Sequence, residues 1–426
     1  MRLLFALTLM FVSMDPARAE VKVLHAGQLL AQPGGEPLTQ QTVVIEDERI
    51  ARVVPGYLEP SEFAPDAELI DLRQAFVMPG LMDMHVHLQG ELGPQSDREA
   101  LRTSSQMVQM RSQMHAMRTL MAGFTTVRDV GSSGLEMYAL RDAINAGWVD
   151  GPRIIAAGGV GITGGHSDVS GLRPEFMALF TDDSICDGPF DCRRATRNQI
   201  KYGADLIKIT STGGVLSDRA TGTQQQMEAD ELQEVVRAAQ RMGRKVASHA
   251  HAEDGIIAAL QAGVASIEHG TYTGPDAIEW FLKTGAYLVP TLLAGDTVVQ
   301  MAEGSDFMTD AVRAKALRVG KDMKGNFRKA HEAGVKVAFG TDSGVSRHGI
   351  NAQEAVLMYE AGMSAMDILV SMTINAADLI DMSAELGSIE TGKYADIVAT
   401  EGSPLEDIAQ LLEIDFIMKG GKVFKQ

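Results

Sequence analysis

His85 and His87, spaced two residues apart, are the first residues whose type and spacing suggest chemistry. They lie in the apolar stretch Met78–Leu88, which contains the turn pair Pro79-Gly80 and predicts a short buried strand. Alternate side chains of a strand share a face, so both imidazoles point the same way. A metal ion removes the cost of burying two unpaired imidazoles, because neutral imidazole is a common ligand. The alternative is two core or surface histidines that meet by accident.

Lys208 lies inside another apolar run, Leu206–Ile209. Burial shifts a lysine towards its neutral form. A neutral amine can add CO2, and the resulting carbamate is an anionic ligand with two oxygens, able to bridge two metal ions. The alternatives are a lysine paired with a carboxylate such as Asp205, or one that extends its ammonium group to solvent.

The elements that would position these residues are apolar, strand-like segments, each followed by a longer polar or helical stretch. They are Leu81–His87, Gly123–Asp129, Arg153–Ala157, Leu206–Ile209, Lys245–His249, Ser266–His269, Tyr287–Pro290 and Lys336–Gly340. Repeated strand–helix units predict a parallel sheet, and eight of them predict an α/β fold of the (β/α)8 TIM-barrel type. The carboxyl ends of barrel strands meet at one mouth, where His249, His269 and Asp342 would join the first histidine pair.

Short strand-like runs also lie at both ends of the chain, and neither group has enough apolar surface to fold alone. We expect residues 20–78 and 387–426 to pair into one small β-sandwich, with residues 79–386 forming the barrel.

The composition and the first residues narrow the class of protein. Of 426 residues, 45% are apolar and 22% charged, with a formal charge of -18, which argues against nucleic acid or anionic membrane as a partner. No run of roughly 18 or more apolar residues occurs, so nothing is predicted to span a membrane. Residues 1–19 combine Arg2, the apolar stretch Leu3–Val12 and the small-x-small pattern Ala17-Arg18-Ala19, which predicts a signal peptide and a periplasmic or secreted protein.

Cys186 and Cys192 are the two cysteines of the chain and lie six residues apart in a loop. In an exported protein this spacing favours a disulfide over two free thiols.

A helical face of methionines precedes the second barrel strand. Its members are Met107, Met110, Met114, Met117 and Met121. We expect this face to pack on the barrel or on another subunit of a homo-oligomer, rather than to bind copper. His115 lies off the face and is predicted to be a surface residue.

The order His-x-His, Lys, His, His, Asp, with Pro-Gly-Leu-x-Asp-x-His-x-His at the first strand, resembles the amidohydrolase superfamily over essentially all of the mature chain. The runs 208–215, 248–251 and 267–270 are most similar to its imidazolonepropionase-related branch. That branch includes exported Xaa-Pro dipeptidases, carboxypeptidase-like dipeptidases and amidases that hydrolyse ochratoxin.

The resemblance implies two metal ions held by residues of the barrel mouth. His85, His87 and Asp342 would hold one ion. His249 and His269 would hold the second, with carboxylated Lys208 bridging the pair. Zinc fits this imidazole-rich set, and manganese or iron would also fit. A lysine on the fourth strand argues against a true imidazolonepropionase, whose similar family uses a single metal ion without that bridge.

The predicted reaction follows from charge. Two cations about 3.5–4 Å apart lower the pKa of a bridging water, and the hydroxide attacks the scissile carbonyl. Asp342 would accept the proton and pass it to the leaving amine. His251 is a second oxyanion donor, or alternatively a histidine at a helix start near Glu253 and Asp254. We expect hydrolysis of an amide or peptide bond next to a free carboxylate, in dipeptides, N-acyl amino acids or ochratoxin A.

Contacts to a small-molecule substrate are predicted in the loops after the strands. The glycine-rich stretch Gly158–Asp168 would bring His166 to the ligand, and it lacks the Lys-Ser/Thr ending of a P-loop. Arg347 and His348 would receive the carboxylate, as arginine is a planar two-pronged donor. The alternative for both loops is a solvated surface. Val215 and Tyr272 are also predicted to line the pocket.

Two other functions remain compatible with the sequence. The same pair of metal ions could attack esters, as in a lactonase or a phosphotriesterase-like hydrolase. A non-catalytic periplasmic metal-binding barrel would keep the ligands and lose the acid/base residue, yet Asp342 is present.

Overall fold

The computed structural model describes residues 19–132, 134–217, 222–304 and 308–426. The predicted signal peptide lies outside the described residues, except for Ala19. The described strands are β1 (Val21–Leu29), β2 (Leu38–Glu46), β3 (Arg49–Pro55), β4 (Glu68–Pro79), β5 (Leu81–Val86), β6 (Phe124–Asp129), β7 (Arg153–Ile162), β8 (Ile185–Cys186), β9 (Leu206–Thr210), β10 (Val246–Ala250), β11 (Ser266–His269), β12 (Tyr287–Val289), β13 (Ile397–Thr400), β14 (Phe416–Lys419) and β15 (Lys422–Lys425).

Helices fill most of the connections between these strands. They are α1 (Ser96–Arg102), α2 (Ser105–Met121), α3 (Gly134–Asn145), α4 (Pro174–Phe180), α5 (Pro189–Lys201), α6 (Ala229–Gln240), α7 (Glu253–Ala262), α8 (Pro275–Thr284), α9 (Leu292–Gly304), α10 (Asp310–Glu332), α11 (Gln353–Glu360), α12 (Ala365–Ser371) and α13 (Ile374–Leu379), with short 3-10 turns at Pro60–Glu62 and Ile408–Leu412. Within the described ranges, no helix is both long and apolar enough to cross a membrane.

The strands of the two chain ends pair into one sheet, in the order β15-β14-β13-β4-β1-β2-β3. The pairing is antiparallel except between β1 and β4. One face of this sheet carries alternating apolar residues, such as Leu24 and Ala26 on β1 and Ile397 and Ala399 on β13, which pack into a core of their own. The predicted union of the two termini is confirmed. The predicted domain boundaries near residues 78 and 387 stay predictions.

The barrel strands form a second, parallel sheet in the order β12-β11-β10-β9-β7-β6-β5, with β8 attached to β7. The first seven predicted strands are present, with ends that differ by a few residues. The predicted eighth strand, 336–340, is an extended segment that forms several backbone hydrogen bonds with β12 and β5. It bridges β12 at Leu288 and Val337, and the Met84 N–H of β5 donates to the Phe339 carbonyl at 2.8 Å. The segment therefore closes the predicted TIM barrel.

Helix α2 bears on two local predictions. Of the methionine face, Met117 packs against the barrel core, whereas Met107, Met110, Met114 and Met121 are exposed, so the contact with another subunit stays a prediction. His115 is not a surface residue, because only 2% of it is exposed. Its ring is turned inward and its Nδ1 lies 2.8 Å from the Leu88 carbonyl.

The two cysteines form a disulfide between β8 and α5, with Cα atoms of Cys186 and Cys192 4.9 Å apart. The link fixes the start of α5 against the short strand β8, which pairs in parallel with the end of β7. This is the pairing that their spacing predicts.

Candidate active site

The predicted ligand residues arrive together at the carboxyl end of the barrel, on the wall of one cavity of about 650 Å³. Each lies in or directly after a barrel strand, so the sheet holds its backbone. The wall includes His85, His87, Lys208, His249, His269 and Asp342. Residues scattered over most of the chain thus meet at one point, as the barrel prediction requires.

Asp342 lies between the histidines of the first strand and the rest of the cluster. Its Oδ1 is 2.8 Å from His87 Nε2 and 3.5 Å from His85 Nε2. The contact with His87 is close but is not aligned as a hydrogen bond. Donor atoms of His85, His269 and Asp342 all lie within 4.8 Å of one another. Atoms that crowd in this way without hydrogen-bond alignment resemble ligands of a shared cation.

The remaining histidines pack around His249. Its ring centroid lies 4.5 Å from that of His269, 4.7 Å from that of His251 and 4.6 Å from that of His166. Burial lowers the pKa of His249 and of His269 well below the usual value, and the neighbouring imidazoles add to the effect. These rings are therefore neutral and can offer lone pairs.

A buried ion pair behind the cluster orients His85. The His85 Nδ1–H donates to Glu268 at 2.8 Å, and Arg128 donates to the other Glu268 oxygen at 2.7 Å. Burial alone would raise the pKa of Glu268, but Arg128 and His85 outweigh it and lower that pKa to about 2. Burial also lowers the pKa of His85 to about 4, so its ring is neutral. With Nδ1 protonated, the Nε2 lone pair of His85 faces the cavity.

Sequence reasoning missed Arg128 and Glu268, although a signal was present. Both are charged residues inside otherwise apolar barrel strands, and a charge buried there requires an opposite charge. They belong to strands β6 and β11, far apart in sequence, so only the closed barrel shows that they are partners.

Lys208 is buried in the middle of β9. No carboxylate among the described residues lies within 4.0 Å of its amine, so the alternative of a pair with Asp205 is wrong. Asp205 instead lies 2.7 Å from Arg141. Burial lowers the pKa of Lys208, which favours the neutral amine that can react with CO2.

Two residues of the cluster have a strained backbone. His269 and Asp342 adopt the left-handed region, with φ of 71° and 58°. Non-glycine residues rarely adopt this conformation, and such strain concentrates at functional sites. In the His269 conformation the ring Nδ1 lies 2.7 Å from the Thr291 hydroxyl.

The donor set fits divalent metal ions. Within the described ranges, no group hydrogen-bonds to the buried His249 Nε2, which is the atom a ligand histidine would present. Imidazole nitrogens and a carboxylate are ligands that a borderline divalent ion such as zinc uses.

His251 lies on the cavity wall rather than on the first turn of a helix, since α7 begins at Glu253. Its Nδ1 is 2.8 Å from the Thr271 hydroxyl. Burial lowers the pKa of His251 to about 3, so the ring is neutral. If the Thr271 hydroxyl donates to Nδ1, the proton of the ring sits on Nε2.

Of the predicted substrate contacts, His166 and Val215 line the cavity. Gly214 makes room for the His166 ring, because a Cβ atom at Gly214 would lie 2.1 Å from His166 Cε1. Helices α9 and α10 supply an apolar wall opposite, through Ala294, Val298, Val319 and Met323.

The other three predicted contacts lie off the described wall of this cavity. Arg347 is exposed on the surface, so it is not positioned to receive a carboxylate there. His348 is buried against His115, with ring centroids 4.4 Å apart. Tyr272 interacts with Arg318 and packs against the hydrophobic core. The path of each loop carries these side chains away from the mouth.

With this geometry established, comparison with known proteins defines the class. The sequence profile of the amidohydrolase family matches residues 76–424. The chain therefore belongs to the amidohydrolase family and is a hydrolase that acts on amide bonds.

Particular relatives extend over nearly the whole chain. The ochratoxinase of Aspergillus niger is 31% identical over an alignment 429 positions long, which covers 96% of this chain and 87% of the ochratoxinase. A solved Xaa-Pro dipeptidase with methionine bound in its active site is 40% identical, with a TM-score of 0.91, covering 96% of this chain and 100% of that one. A prolidase solved with N-methylphosphonate-L-proline is 30% identical, with a TM-score of 0.85 and coverages of 95% and 100%. The predicted superfamily is confirmed.

Proposed function

We propose that this amidohydrolase uses two divalent metal ions, zinc in the first instance, to cleave an amide or peptide bond next to a free carboxylate. Dipeptides and N-acyl amino acids are the substrate class, and ochratoxin A is included because it joins an amino acid through an amide. The observation that carries the proposal is the convergence of His85, His269 and Asp342, with donor atoms within 4.8 Å of one another, beside Lys208 and His249.

The relatives support the substrate class. One is named for its action on ochratoxin, and two solved structures hold methionine or N-methylphosphonate-L-proline. Both of those bound molecules carry a free α-carboxylate.

The metal ions would be held by the four histidines, Asp342 and Lys208. When bound, they supply positive charge that makes water acidic and polarises the scissile carbonyl. The neutral Lys208 amine adds CO2 by forming an N–C bond and releasing a proton, which leaves a carbamate anion. The metal ions would repel a protonated lysine at this position, whereas the carbamate anion would offset their positive charge.

Asp342 is placed to move the proton. Its buried carboxylate contacts both histidines of the first strand and lies on the cavity wall. It would accept the proton of the attacking water and return it to the leaving nitrogen, because an unprotonated amide anion is a poor leaving group.

His251 would stabilise the carbonyl oxygen as negative charge develops. Its neutral ring is held by Thr271, and a proton on Nε2 would be donated into the cavity. His166 would face the substrate carboxylate, while Val215 and the apolar wall of α9 and α10 would receive the side chain.

Paired substrates test the substrate class. The zinc-loaded protein is assayed on N-acyl amino acids, on the matching carboxamides and on a lactone, with metal content measured in the same sample. We expect kcat/KM for the free acid to exceed that for the carboxamide by about 100-fold, since a charge-assisted contact is lost. Equal rates on both would reject the carboxylate requirement, and faster turnover of the lactone would favour the ester hydrolase.

Asp342→Asn tests the proton transfer. We expect turnover to fall by at least about 100-fold while most of the bound metal is retained, because general acid–base catalysis contributes on this scale. Intact turnover in this variant would refute the role of Asp342.

We also propose that the chain is exported and assembles as a homo-oligomer. The Cys186–Cys192 disulfide supports an oxidising compartment, and the exposed methionines of α2 support a contact with a second copy. Mass spectrometry of the mature N-terminus and the solution mass of the purified protein test the two statements.

A further inference from the structure

A second group of metal-type ligands lies beside the cavity, outside the six residues of the proposed catalytic centre. Glu91 follows β5, His115 lies on α2, and His348 follows the segment that closes the barrel. One ring nitrogen of each histidine and a Glu91 carboxylate oxygen all lie within 4.8 Å of one another. Both histidines are buried, with 2% of His115 and 5% of His348 exposed.

The hydrogen bonds of the two rings determine where their protons sit. His115 Nδ1 is 2.8 Å from the Leu88 carbonyl, and His348 Nε2 is 3.1 Å from the Gly90 carbonyl. A carbonyl oxygen only accepts, so these nitrogens carry the protons. The lone pairs therefore reside on His115 Nε2 and His348 Nδ1.

The surroundings of these two nitrogens differ. His115 Nε2 lies 4.0 Å from Glu91 Oε1, which is itself an acceptor. Across the ranges that the structure describes, no group hydrogen-bonds to the buried His348 Nδ1. Such a buried acceptor is costly to leave without a partner. Two imidazoles and one carboxylate thus converge at one place.

Adding a second proton to either imidazole is unfavourable, because burial disfavours the charged ring and the two rings stack with centroids 4.4 Å apart. Arg118 approaches Glu91 Oε1 at 3.6 Å and offsets part of its charge. That arginine is half exposed, so it can move into solvent. The Glu91 oxygen also accepts the His348 backbone N–H at 3.0 Å, which holds the carboxylate in place.

We propose that Glu91, His115 and His348 form an additional binding site for a divalent transition-metal ion of the zinc class. Two imidazole nitrogens and one carboxylate form a ligand set that zinc uses, with water completing the coordination. Glu91 is partly exposed, which gives solvent and the ion access. The backbone carbonyls of Leu88 and Gly90 orient the two rings from behind, as outer partners of ligand histidines do.

The site would control the rigidity of the cavity wall. Gln89, Gly90, Glu91 and Leu92 all line the catalytic cavity, and the Leu92 N–H donates to Gly344 at 2.6 Å. An ion bound here would tie this loop to α2 and to the loop that follows Asp342. It would therefore stabilise the substrate cavity without taking part in the reaction.

Metal stoichiometry tests the proposal without reference to activity. The full-length mature protein is dialysed against graded zinc, and bound metal is measured for the wild type, His348→Gln, Glu91→Gln and His331→Gln. His331 lies on α10, is partly exposed and is not a member of the cluster, with its Nε2 4.0 Å from Asp367, so it serves as the control. We expect His348→Gln and Glu91→Gln to bind one metal ion fewer per chain than the wild type and His331→Gln. Glu91→Gln keeps the test decisive if His348→Gln does not fold.

Hydrogen exchange gives a second measurement. Occupation of the additional site should slow amide exchange in residues 88–92 and 345–350 of the wild type, and not in Glu91→Gln. Identical stoichiometry in all four proteins, or zinc-dependent protection that survives Glu91→Gln, would overturn the proposal.

Discussion

Asp83 in the first barrel strand accepts a hydrogen bond at 2.6 Å from the hydroxyl of Thr341, at the far end of the barrel sequence. It also accepts from the Thr341 backbone N–H at 3.1 Å and from the Asn351 amide at 2.7 Å. The closing segment 336–340 makes backbone hydrogen bonds to β5 and β12, and this buried carboxylate adds a side-chain link between the first and last parts of the barrel. The same link fixes the distance between His85 and Asp342.

Thr341→Val should destabilise the protein by about 1–3 kcal/mol, because Asp83 loses a donor that nothing replaces in the core. Urea unfolding measures the change. Thr125→Val is the matched control, since the buried Thr125 hydroxyl has no hydrogen-bond partner among the described residues and its loss should be close to neutral. Equal effects of the two substitutions would show that the Asp83–Thr341 bond does not close the barrel.

Glu268→Gln should weaken metal binding by about 10–100-fold, because the amide no longer holds His85 in the tautomer that presents Nε2. Competition with a chelator measures the affinity. Glu231→Gln is a control of the same type. Glu231 is buried, does not line the cavity, and accepts a hydrogen bond of 2.8 Å from the Gly188 N–H. An unchanged affinity in Glu268→Gln would remove its role in positioning His85.

Gly214→Ala should raise KM for a carboxylate substrate by about tenfold or more with the metal content unchanged, because the new methyl group displaces the His166 ring. Steady-state kinetics and metal analysis of one sample measure both quantities. Gly159→Ala is the control, since a Cβ atom at Gly159 on the same cavity wall meets nothing within 4 Å. A normal KM in Gly214→Ala would argue that His166 does not contact the substrate.

The stability of the protein should depend on pH through Glu354. This buried carboxyl accepts the Leu292 and Leu293 N–H groups at the start of α9 at 2.8 and 2.6 Å. Burial raises the pKa of Glu354 to about 8 in spite of these bonds, and the carboxylates of Asp83 and Asp342 add to the rise. The folded protein thus binds this proton more tightly than the unfolded chain. The contribution of protonated Glu354 to the free energy of unfolding is complete below pH 4.5 and is lost as the pH rises through about 8.

Between these pH values, the wild type should lose roughly 3–5 kcal/mol more unfolding free energy than Glu354→Gln. Urea unfolding of metal-free protein across the range measures the difference. The exposed Glu332→Gln should follow the wild type. Parallel curves for the wild type and Glu354→Gln would contradict the assignment.

Much of the candidate site could be predicted from the sequence because the carboxyl ends of all parallel barrel strands lie at the same end of the barrel. A polar residue at the carboxyl end of an apolar strand reaches the mouth whatever the loops do. This is why His85, His249 and His269 meet as predicted. The predicted eighth strand illustrates the limit, since only a short stretch of its backbone pairs with β12 and β5, and the Thr341–Asp83 bond adds to that pairing.

The residue types and spacing of the chain by themselves determined the barrel, the union of its two ends and which side chains cluster at its mouth. Only the tertiary structure decided that Arg128 and Glu268 support His85, that His348 packs against His115, and that Arg347 faces solvent. These outcomes depend on which strands become neighbours and on the paths of the loops. Local periodicity carries no information about either, because both are set by packing between residues far apart in the chain.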